Sequence, residues 1–325
     1  MKIDTSEIKT YRECHRKHEF SSRNRFHLRP IKPNDNLVFG TQFHEVLAMI
    51  YLGTSEDKIL EWITREVTDP QMNRMMNNMF EGYYHGPYQQ DKERYVLVDI
   101  EKSFNYPIVV NPTAVVGEYT VDHEPWDFKQ VNGQWVAVDN NGELYDAICV
   151  CGSIDMICID TKTGKLVGFE HKTAKNFRPE VYDLLDEQPR VYSWALRRIL
   201  GDYHAQGKLL EVKEVGPIYL NQVKKLISKF DYQRVTCMYT DEDLSNFMKL
   251  FERDMYKVAM YTYDPEDSLP TPGYMKCQMC DYADLCMHYG YANIQIDDLV
   301  KEFDGEFEVR DHDHLEEKTS RHVEE

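Results

Sequence analysis

The chain of 325 residues contains no apolar run that approaches the roughly eighteen residues of a membrane-spanning helix. Its first segment, MKIDTSEIKTYRECHRKHEF, is charged and polar where a secretory signal needs an apolar stretch. A G-x-x-x-x-G-K-[ST] motif is also absent, so no ATP-driven motor is expected and any helicase action would come from a partner protein. The sequence therefore predicts a cytoplasmic protein.

Positive charge is in short supply. The chain has 38 Lys and Arg against 56 Asp and Glu, a formal net charge of −18. This balance excludes a protein that coats nucleic acid by bulk electrostatic attraction. It leaves room for a protein whose carboxylates bind a metal ion and whose local basic groove binds a polyanion.

Internal repeats and long Gly/Ser-rich or Pro-rich linkers are missing as well, which favours one composite domain over residues 1–296. Within it we expect a helical part at about 1–95, a sheet core at about 95–225, and a helix with a cysteine cluster at about 240–290. Residues 297–325 hold twelve Asp and Glu against four Lys and Arg, which predicts an acidic, disordered tail. A tail that mimics DNA or binds a partner is the alternative.

Hydrophobic periodicity places the helices and strands. Gly40-Thr41 precedes a helical pattern, TQFHEVLAMIYL, and Asp186 caps a helix that runs to Leu200, with Gly201 just beyond its end. Between them lie strand-like segments, separated by Asn-Gly and TKTGK turn signals: YVLVDIEKSFNYPIVV, QWVAV, LYDAICVCGSIDMICID and KLVGFEHKT. The pattern predicts an α/β fold whose strands form an antiparallel meander.

The most informative segment is GSIDMICIDTKTGKLVGFEHKTAK. Asp155 lies on one strand, Glu170 and Lys172 lie on the next, and a tight turn joins the two strands. Because side chains alternate along a strand, Glu170 and Lys172 face the same way while His171 points to the opposite side. Hairpin pairing can bring Asp155 beside them.

These residue types suit metal-assisted hydrolysis of a phosphodiester. Two carboxylates bind Mg²⁺ or Mn²⁺, which keeps positions open for water and phosphate. The ammonium of Lys172 can orient the attacking water and favour its deprotonation. The same spacing occurs in hairpins whose charges only form surface ion pairs. Here, however, the charged residues lie within strands of Val, Ile, Leu, Phe and Cys, where a solvated face is less expected.

Three further residues complete a pattern. Gln188 and Tyr192, in QPRVY, lie one helical turn apart on one face, and His44 lies on the helix before the strands. Taken singly, each is more often a structural residue. Their order, His…Asp…Glu-x-Lys…Gln-x-x-x-Tyr, resembles the RecB-like branch of the PD-(D/E)XK nuclease superfamily. The resemblance covers Cys14 to Cys286, with residues 119–146 as an insertion.

The resemblance implies a restriction-endonuclease-like mixed β-sheet core flanked by helices. It implies catalytic roles for Asp155, Glu170, Lys172, Gln188 and Tyr192, and a Mg²⁺ or Mn²⁺ site formed by His44, Asp155, Glu170 and the backbone carbonyl of His171. Glu101, in VDIEKSF, is a candidate for a further acid near the metal.

The most specific motif lies near the C-terminus. Cys277, Cys280 and Cys286 form a C-x₂-C-x₅-C pattern, and Cys14, in YRECHRK, is the best candidate for a fourth ligand. In a reducing compartment clustered thiolates suit a metal, and this spacing fits either zinc or an iron–sulfur cluster. Closing a loop of 272 residues, from Cys14 to Cys286, constrains the unfolded chain, which favours a structural role.

One cysteine near the N-terminus with three near the C-terminus resembles the iron–sulfur nucleases, among them AddB-type domains and the CRISPR-associated RecB-like exonucleases. The resemblance implies a four-iron, four-sulfur (4Fe-4S) cluster that staples the two ends of the chain. Cys149, Cys151 and Cys158 alternate with apolar residues and are expected to be small core side chains, and Cys237 carries no signal.

The function that follows is that of a metal-dependent DNA exonuclease. The resemblance implies action on single-stranded DNA from the 5′ end, or on duplex ends, in DNA repair, recombination, phage replication or CRISPR adaptation, with a helicase or recombination protein as partner. Two alternatives stay open: a non-catalytic module that binds DNA ends in a recombination or replication complex, and an RNA-acting nuclease, since no sequence feature reads a 2′-hydroxyl. The filled catalytic positions favour an enzyme over the non-catalytic module.

Overall fold

The computed structural model describes residues 1–32, 34–110, 127–139, 141–263, 270–289, 303 and 305–310. The chain divides into two compact units. The central unit comprises Asn34–Ser103 and Ser153–Ser245, and the terminal unit comprises Met1–Pro33, Phe104–Gly152 and Asn246–Glu325. The single composite domain expected from the sequence stays a prediction.

In chain order the elements are β1 (Lys2–Ile3), α1 (Thr5–Glu13), α2 (His15–Ser21), β2 (Leu28–Pro30), α3 (Asp35–Tyr51), α4 (Glu56–Glu66), α5 (Pro70–His85), α6 (Pro87–Arg94), β3 (Tyr95–Val110), β4 (Asp127–Val131), β5 (Gln134–Val138), β6 (Leu144–Asp160), β7 (Lys165–Ala174), α7 (Glu180–Leu184), α8 (Glu187–Ala205), β8 (Val215–Lys224), β9 (Tyr232–Cys237), α9 (Asp241–Tyr263), α10 (Tyr274–Gln278), α11 (Ala283–Tyr289) and β10 (Phe307–Val309). Among the helices of the described residues, none combines the length and the apolar composition of a membrane span.

A mixed sheet forms the core of the central unit. Strands β6 and β7 pair antiparallel, β7 and β8 parallel, and β8 and β9 antiparallel. Their buried side chains, such as Met156 and Phe169, pack together because these strands are rich in large apolar residues. Helices α3 and α8 pack against β7. The structure thus confirms a mixed sheet flanked by helices.

Strand β3 departs from the predicted meander. It pairs with β6 rather than with β4, its successor in the chain. The two strands are separated by 16 residues, whereas the hairpin loops that make successive strands neighbours are short. The expected antiparallel pairing holds for β4 with β5, for β5 with β6 and for β6 with β7.

Helix α3 carries the apolar stripe that the sequence predicts. Phe43, Leu47 and Ile50 are buried in the core of the central unit. The predicted start of this helix is late, however. The side chain of Asn34 accepts the backbone N–H of Asn36 at 2.9 Å and caps the helix there, so Gly40 lies inside the helix.

Helix α8 begins as predicted and ends later. The side chain of Asp186 accepts the backbone N–H of Gln188 at 3.2 Å. The helix continues past Gly201 because Tyr203 is buried, and the hydroxyl of Tyr203 donates to Asp99 at 2.9 Å. Gly207 follows the end of the helix: its φ angle is 74°, and its N–H donates to the carbonyl of His204 at 2.9 Å.

In the terminal unit, β1 pairs parallel with β6, and β4 and β5 form a hairpin. The Asn132-Gly133 turn has φ angles of 51° and 79°, as an Asn-Gly hairpin signal predicts. Residues 119–126 and 140 of the expected insertion lie outside the described residues.

The predicted disordered tail is wrong for one segment. Strand β10 pairs antiparallel with β2, and Phe307 is buried in a cluster with Leu28, Tyr282 and Leu285. The charge count overlooked the apolar side chains within the acidic run, because Phe303 and Phe307 both pack in this cluster. The rest of the tail, apart from 303, 305, 306 and 310, lies outside the described residues.

Candidate active site

Three residues of the central unit converge on a small cavity. His44 of α3, Glu101 of β3 and Asp155 of β6 each offer a ligand atom, and these atoms lie within 4.8 Å of one another. The cavity has a volume of about 10 Å³, room for one water-sized sphere, and Tyr51 and His171 also line it. One imidazole and two carboxylates around such a cavity fit a small divalent cation.

The backbone of Glu101 is unusual. Its φ angle is 49°, in the left-handed region that non-glycine residues rarely adopt, although the residue lies inside β3. Such a conformation costs about 1–3 kcal/mol and persists where the surrounding structure imposes it, often at functional sites. Here it accompanies the approach of the Glu101 carboxylate to His44 and Asp155.

Asp155 is held from two sides. Its Oδ2 atom accepts the backbone N–H of His171 at 2.7 Å, and its Oδ1 atom lies 3.4 Å from Nδ1 of His44. Strand register explains the first contact, because the pairing of Met156 with Phe169 leads to the neighbourhood of Asp155 and His171. The side chain of Asp155 is only 7% exposed, so its charge is weakly screened by water.

The two histidines at the cavity have opposite pKa shifts. Burial alone would lower the pKa of His44, but the neighbouring carboxylates, Asp155 first among them, raise it to about 9. Burial lowers the pKa of His171 to about 4, against the attraction of Asp155 and with the help of nearby cationic groups. At neutral pH His44 is therefore protonated and paired with Asp155, whereas His171 is neutral.

A second polar group lies around Gln188. Its Nε2 atom donates to Glu170 Oε1 at 2.8 Å and to the hydroxyl oxygen of Tyr192 at 2.9 Å. Its Oε1 atom accepts a hydrogen bond from Nζ of Lys172, and that Nζ lies 3.8 Å from the Glu170 carboxylate. The amide of Gln188 thus fixes the Glu170 carboxylate and the Lys172 ammonium relative to each other. The Lys172 side chain is 35% exposed, so its ammonium can reach a ligand from solution.

The structure places the predicted site residues in these two groups. His44 and Asp155 meet at the cavity with Glu101, which the sequence analysis named as a candidate for a further acid near the metal. Glu170 belongs to the group around Gln188 and is not among the described ligand atoms that converge within 4.8 Å. The ring of His171 lies near Tyr51 and Tyr83, and metal binding by its carbonyl stays a prediction.

Lysines collect where two neighbouring strands end. Strands β7 and β8 are parallel and Ala174 pairs with Lys224, so both strands end at the same edge of the sheet. The N–H of Lys225 donates to the carbonyl of Ala174 at 2.9 Å, and its Nζ donates to Asn36 at 2.6 Å. Lys175 is exposed and makes no ion pair within the described part of the chain. Lys224 forms an ion pair with Asp231 at 2.7 Å, so Lys175 and Lys225 are the lysines that these two strand ends offer to an anion.

The motif cysteines share a cavity in the terminal unit. This cavity, of about 980 Å³, is lined by Cys14, Cys277, Cys280 and Cys286. The backbone N–H of Thr271 donates to Sγ of Cys14 at 3.4 Å, and that of Gly273 donates to Sγ of Cys277 at 3.5 Å. The other four cysteines, Cys149, Cys151, Cys158 and Cys237, are buried, which agrees with the core role predicted for the first three.

The sulfur atoms do not form a compact metal site. A tetrahedral zinc with Zn–S bonds of about 2.3 Å needs sulfur atoms about 3.8 Å apart. Among the cysteines that the structure describes, no three sulfur atoms lie within 4.8 Å of one another. Burial, followed by the neighbouring motif cysteines, raises the pKa of Cys286 to about 11, so this thiol is protonated unless a cation is bound. The expected iron–sulfur cluster is not shown by this arrangement.

Comparison with known proteins points to one family. The model of the PD-(D/E)XK nuclease superfamily matches residues 4–287. No curated protein matches the chain. Among solved structures, a provisional exonuclease from Eubacterium rectale is 13% identical, with 91% of each chain covered and a TM-score of 0.46. A second protein, SSO0001, is 10% identical, with 88% of this chain and 85% of that chain covered and a TM-score of 0.30. Both TM-scores lie below 0.5, so nothing about this chain is inferred from either structure.

Proposed function

We propose, since the chain belongs to the PD-(D/E)XK nuclease superfamily, that its central unit is a metal-dependent deoxyribonuclease. The observation that carries the proposal is the convergence of His44, Glu101 and Asp155 on one small cavity. Purely structural ion pairs would not require two carboxylates and an imidazole to point at a common space. The hydrogen-bonded group around Gln188 supplies the acid and the lysine that hydrolysis needs.

His44, Glu101 and Asp155 would hold Mg²⁺ or Mn²⁺. When bound, the ion offsets the negative charge on the phosphate oxygens and activates water. The hydrogen bond from His171 N–H to Asp155 Oδ2 fixes the orientation of that carboxylate. Glu170 and the carbonyl of His171 remain proposed additional ligands, as the family resemblance implies.

Lys172 is proposed to orient the attacking water and to stabilise the negative charge that develops on it. The Gln188 oxygen accepts one of its protons, which leaves the other ammonium protons free to donate. Both N–H groups of the Gln188 amide are used, one on Glu170 and one on Tyr192, so the amide cannot flip without losing bonds. Gln188 and Tyr192 thus act as positioning residues.

The proposed substrate is single-stranded DNA, cut exonucleolytically from the 5′ end, in the cytoplasm. Lys175 and Lys225 support a polyanionic substrate, because they directly follow the strand that carries Glu170 and Lys172 and its neighbour in the sheet. An acidic protein needs such a local positive edge to bind DNA.

One assay tests this proposal. Single- and double-stranded DNA, labelled at the 5′ or the 3′ end, is incubated with the protein and Mg²⁺ or Mn²⁺. We expect short products from the 5′ end of single strands, and no products with EDTA. Binding of DNA ends without cleavage under any of these conditions would contradict the nuclease and support the non-catalytic alternative.

We further propose that Cys14, Cys277, Cys280 and Cys286 hold a 4Fe-4S cluster. Their shared cavity supports this, as do the N–H groups that donate to two of the sulfurs, since such bonds tune cluster thiolates. The cluster would act as a structural staple of the terminal unit.

A further inference from the structure

A closed ring of hydrogen bonds lies next to the cation cavity. Its members come from α3, α5, α6, β8 and β9 of the central unit: Tyr51, Tyr83, Asp91, Asn221 and Arg234. The successive bonds are Asn221 to Tyr83 at 3.2 Å, Tyr83 to Tyr51 at 2.8 Å, Tyr51 to Asp91 at 2.6 Å, Arg234 to Asp91 at 2.7 Å twice, and Arg234 to Asn221 at 2.7 Å. Asn221 and Tyr83 are fully buried and Asp91 almost so.

Donor chemistry assigns every proton in this ring. The guanidinium of Arg234 can only donate, and the Asp91 carboxylate can only accept. The single hydroxyl proton of Tyr51 goes to Asp91, so the hydroxyl of Tyr83 must donate to Tyr51. Tyr83 then accepts from the Asn221 amide. No bond in the ring can reverse its direction without breaking another.

The ring also orients the Asn221 side chain. Its Oδ1 atom accepts from Arg234 Nε and from the hydroxyl of Tyr232, each at 2.7 Å, which places the amide nitrogen on the opposite side. That nitrogen lies 3.3 Å from Nδ1 of His171. Because an amide N–H only donates, Nδ1 must accept, which places the ring proton of His171 on Nε2.

Two members of this arrangement touch the cation cavity. Tyr51 lines it directly, and the ring of His171, which Asn221 orients, lines it as well. The backbone N–H of His171 holds Asp155 Oδ2 at 2.7 Å. The Arg234–Asp91 pair is thus connected to the cavity by two independent routes, through Asn221 and through Tyr51.

We propose that Arg234, Asp91 and Asn221 are positioning residues for the cation site, because they fix the His171 ring and Tyr51 at the wall of the cavity. The inference rests on the proposed function only in that the cavity binds a divalent cation. Groups that hydrogen-bond a metal ligand directly typically change metal affinity by about 10–100-fold when altered, and Arg234, Asp91 and Asn221 act on the cavity wall through one or two intermediate groups. Breaking the ring should therefore weaken cation binding while the chain stays folded.

The test compares two ion pairs of the same kind. Arg234→Lys keeps the positive charge but loses the two-pronged contact with Asp91 and the bond to Asn221. Arg94→Lys is the matched control, because Arg94 also holds one aspartate, Asp160, by two bonds, at 3.0 and 2.7 Å. Neither Arg94 nor Asp160 lines the cavity. Mn²⁺ binding to each purified protein is measured by the electron paramagnetic resonance signal of free Mn²⁺, and folding by circular dichroism.

We expect Arg234→Lys to raise the Kd for Mn²⁺ by about 10-fold, the lower end of that range, and Arg94→Lys to leave it unchanged even if the melting temperature falls. Tyr51→Phe keeps the aromatic side chain and removes two hydrogen bonds, so it should also weaken Mn²⁺ binding. This variant replaces Arg234→Lys if Arg234→Lys does not fold. Unchanged Mn²⁺ affinity in the folded variants, an equal loss in Arg94→Lys, or wild-type protein that binds no Mn²⁺ would overturn the inference. Wild-type protein that binds Mn²⁺ but does not cut DNA would contradict the proposed nuclease and leave this inference in place.

Discussion

His44 and Asp155 form an ion pair at the cavity that is proposed to hold a cation, with 3.4 Å between Nδ1 and Oδ1. The pKa of His44, raised to about 9, means that a proton occupies this imidazole at neutral pH. A metal ion can bind to Nδ1 only after that proton leaves. Proton and metal therefore compete for the same atom.

The first prediction is that Mn²⁺ affinity rises about 50-fold between pH 7 and pH 9 and then levels off, because His44 loses its proton around its pKa of about 9. Calorimetry in buffers of different ionisation enthalpy should count about one proton released per ion at pH 7.

In the metal-free protein, a rise in pH should lower the folding stability. The folded pKa lies above the ordinary 6.5, so the pair stabilises fully below pH 6.5 and less as the pH rises through about 9. A His44→Gln variant should lose both dependences, and a pH-independent Kd in the wild type would refute this competition.

The second prediction concerns Lys172. Lys172→Ala should reduce cleavage by about 100-fold or more, because the attacking water loses its ammonium partner, while DNA binding persists. Glu170→Gln should behave likewise through loss of the carboxylate. Lys162→Ala is the matched control, since Lys162 is exposed in the turn of the same hairpin. Cleavage at the wild-type rate in either of the first two variants would show that the site assignment is wrong.

The third prediction uses the backbone of Glu101. With φ at 49°, Glu101→Gly should be more stable than Glu101→Ala by about 1 kcal/mol in metal-free urea unfolding, because only glycine adopts this conformation without strain. Both variants should bind Mn²⁺ weakly, since the carboxylate is gone. At the neighbouring Lys102, whose φ is not positive, the order should reverse, with the glycine variant the less stable one. If the glycine and alanine variants had the same order of stability at both positions, strain at Glu101 would be ruled out.

The fourth prediction concerns the cysteine cavity. Protein purified without oxygen should be brown, with broad absorption near about 400 nm. Cys280→Ala should lose the colour and lower the melting temperature, because cluster binding energy is part of the folding energy.

Cys237→Ala should keep colour and iron content, even if the small void it leaves in the core costs some stability. Colourless protein with about one zinc per chain would keep the staple and reject the cluster. Metal-free protein of full stability with four reactive thiols would reject both.

The fifth prediction concerns DNA binding. Lys175→Ala should reduce the slope of log affinity against log salt by about 0.7 for single-stranded DNA, the value for one phosphate contact. Fluorescence anisotropy over a salt series measures this slope. Lys58→Ala, at an exposed position on α4, should leave it unchanged. An unchanged slope for Lys175→Ala would remove the end of β7 from the proposed DNA path.

The sequence predicted those parts of the site that depend on local periodicity. Strand alternation and the TKTGK turn correctly placed Asp155 next to the Glu-x-Lys strand, and helical spacing put Gln188 and Tyr192 on one face, where they bond at 2.9 Å. These relationships extend over one hairpin or one helical turn, so the pattern of side-chain directions determines them.

Longer-range relationships could not be obtained in this way. The position of Glu101 depends on a left-handed backbone conformation inside a strand, which no residue type there signals. The pairing of Asp91 with Arg234 joins residues 143 positions apart, and each is unremarkable in its own segment. The strand β10 was missed because charge dominated the count, whereas two phenylalanines determine the packing.

The cysteine cavity has a consequence for the order of events during protein synthesis. Cys14 is added 263 residues before Cys277, and both line the same cavity. At a translation rate of about 5–20 residues per second, the first thiol waits tens of seconds for the other three. Binding of the proposed cluster and closure of the terminal unit would therefore come late in synthesis, and a ribosome that stalls before Cys277 would leave a chain without three of the four proposed ligands.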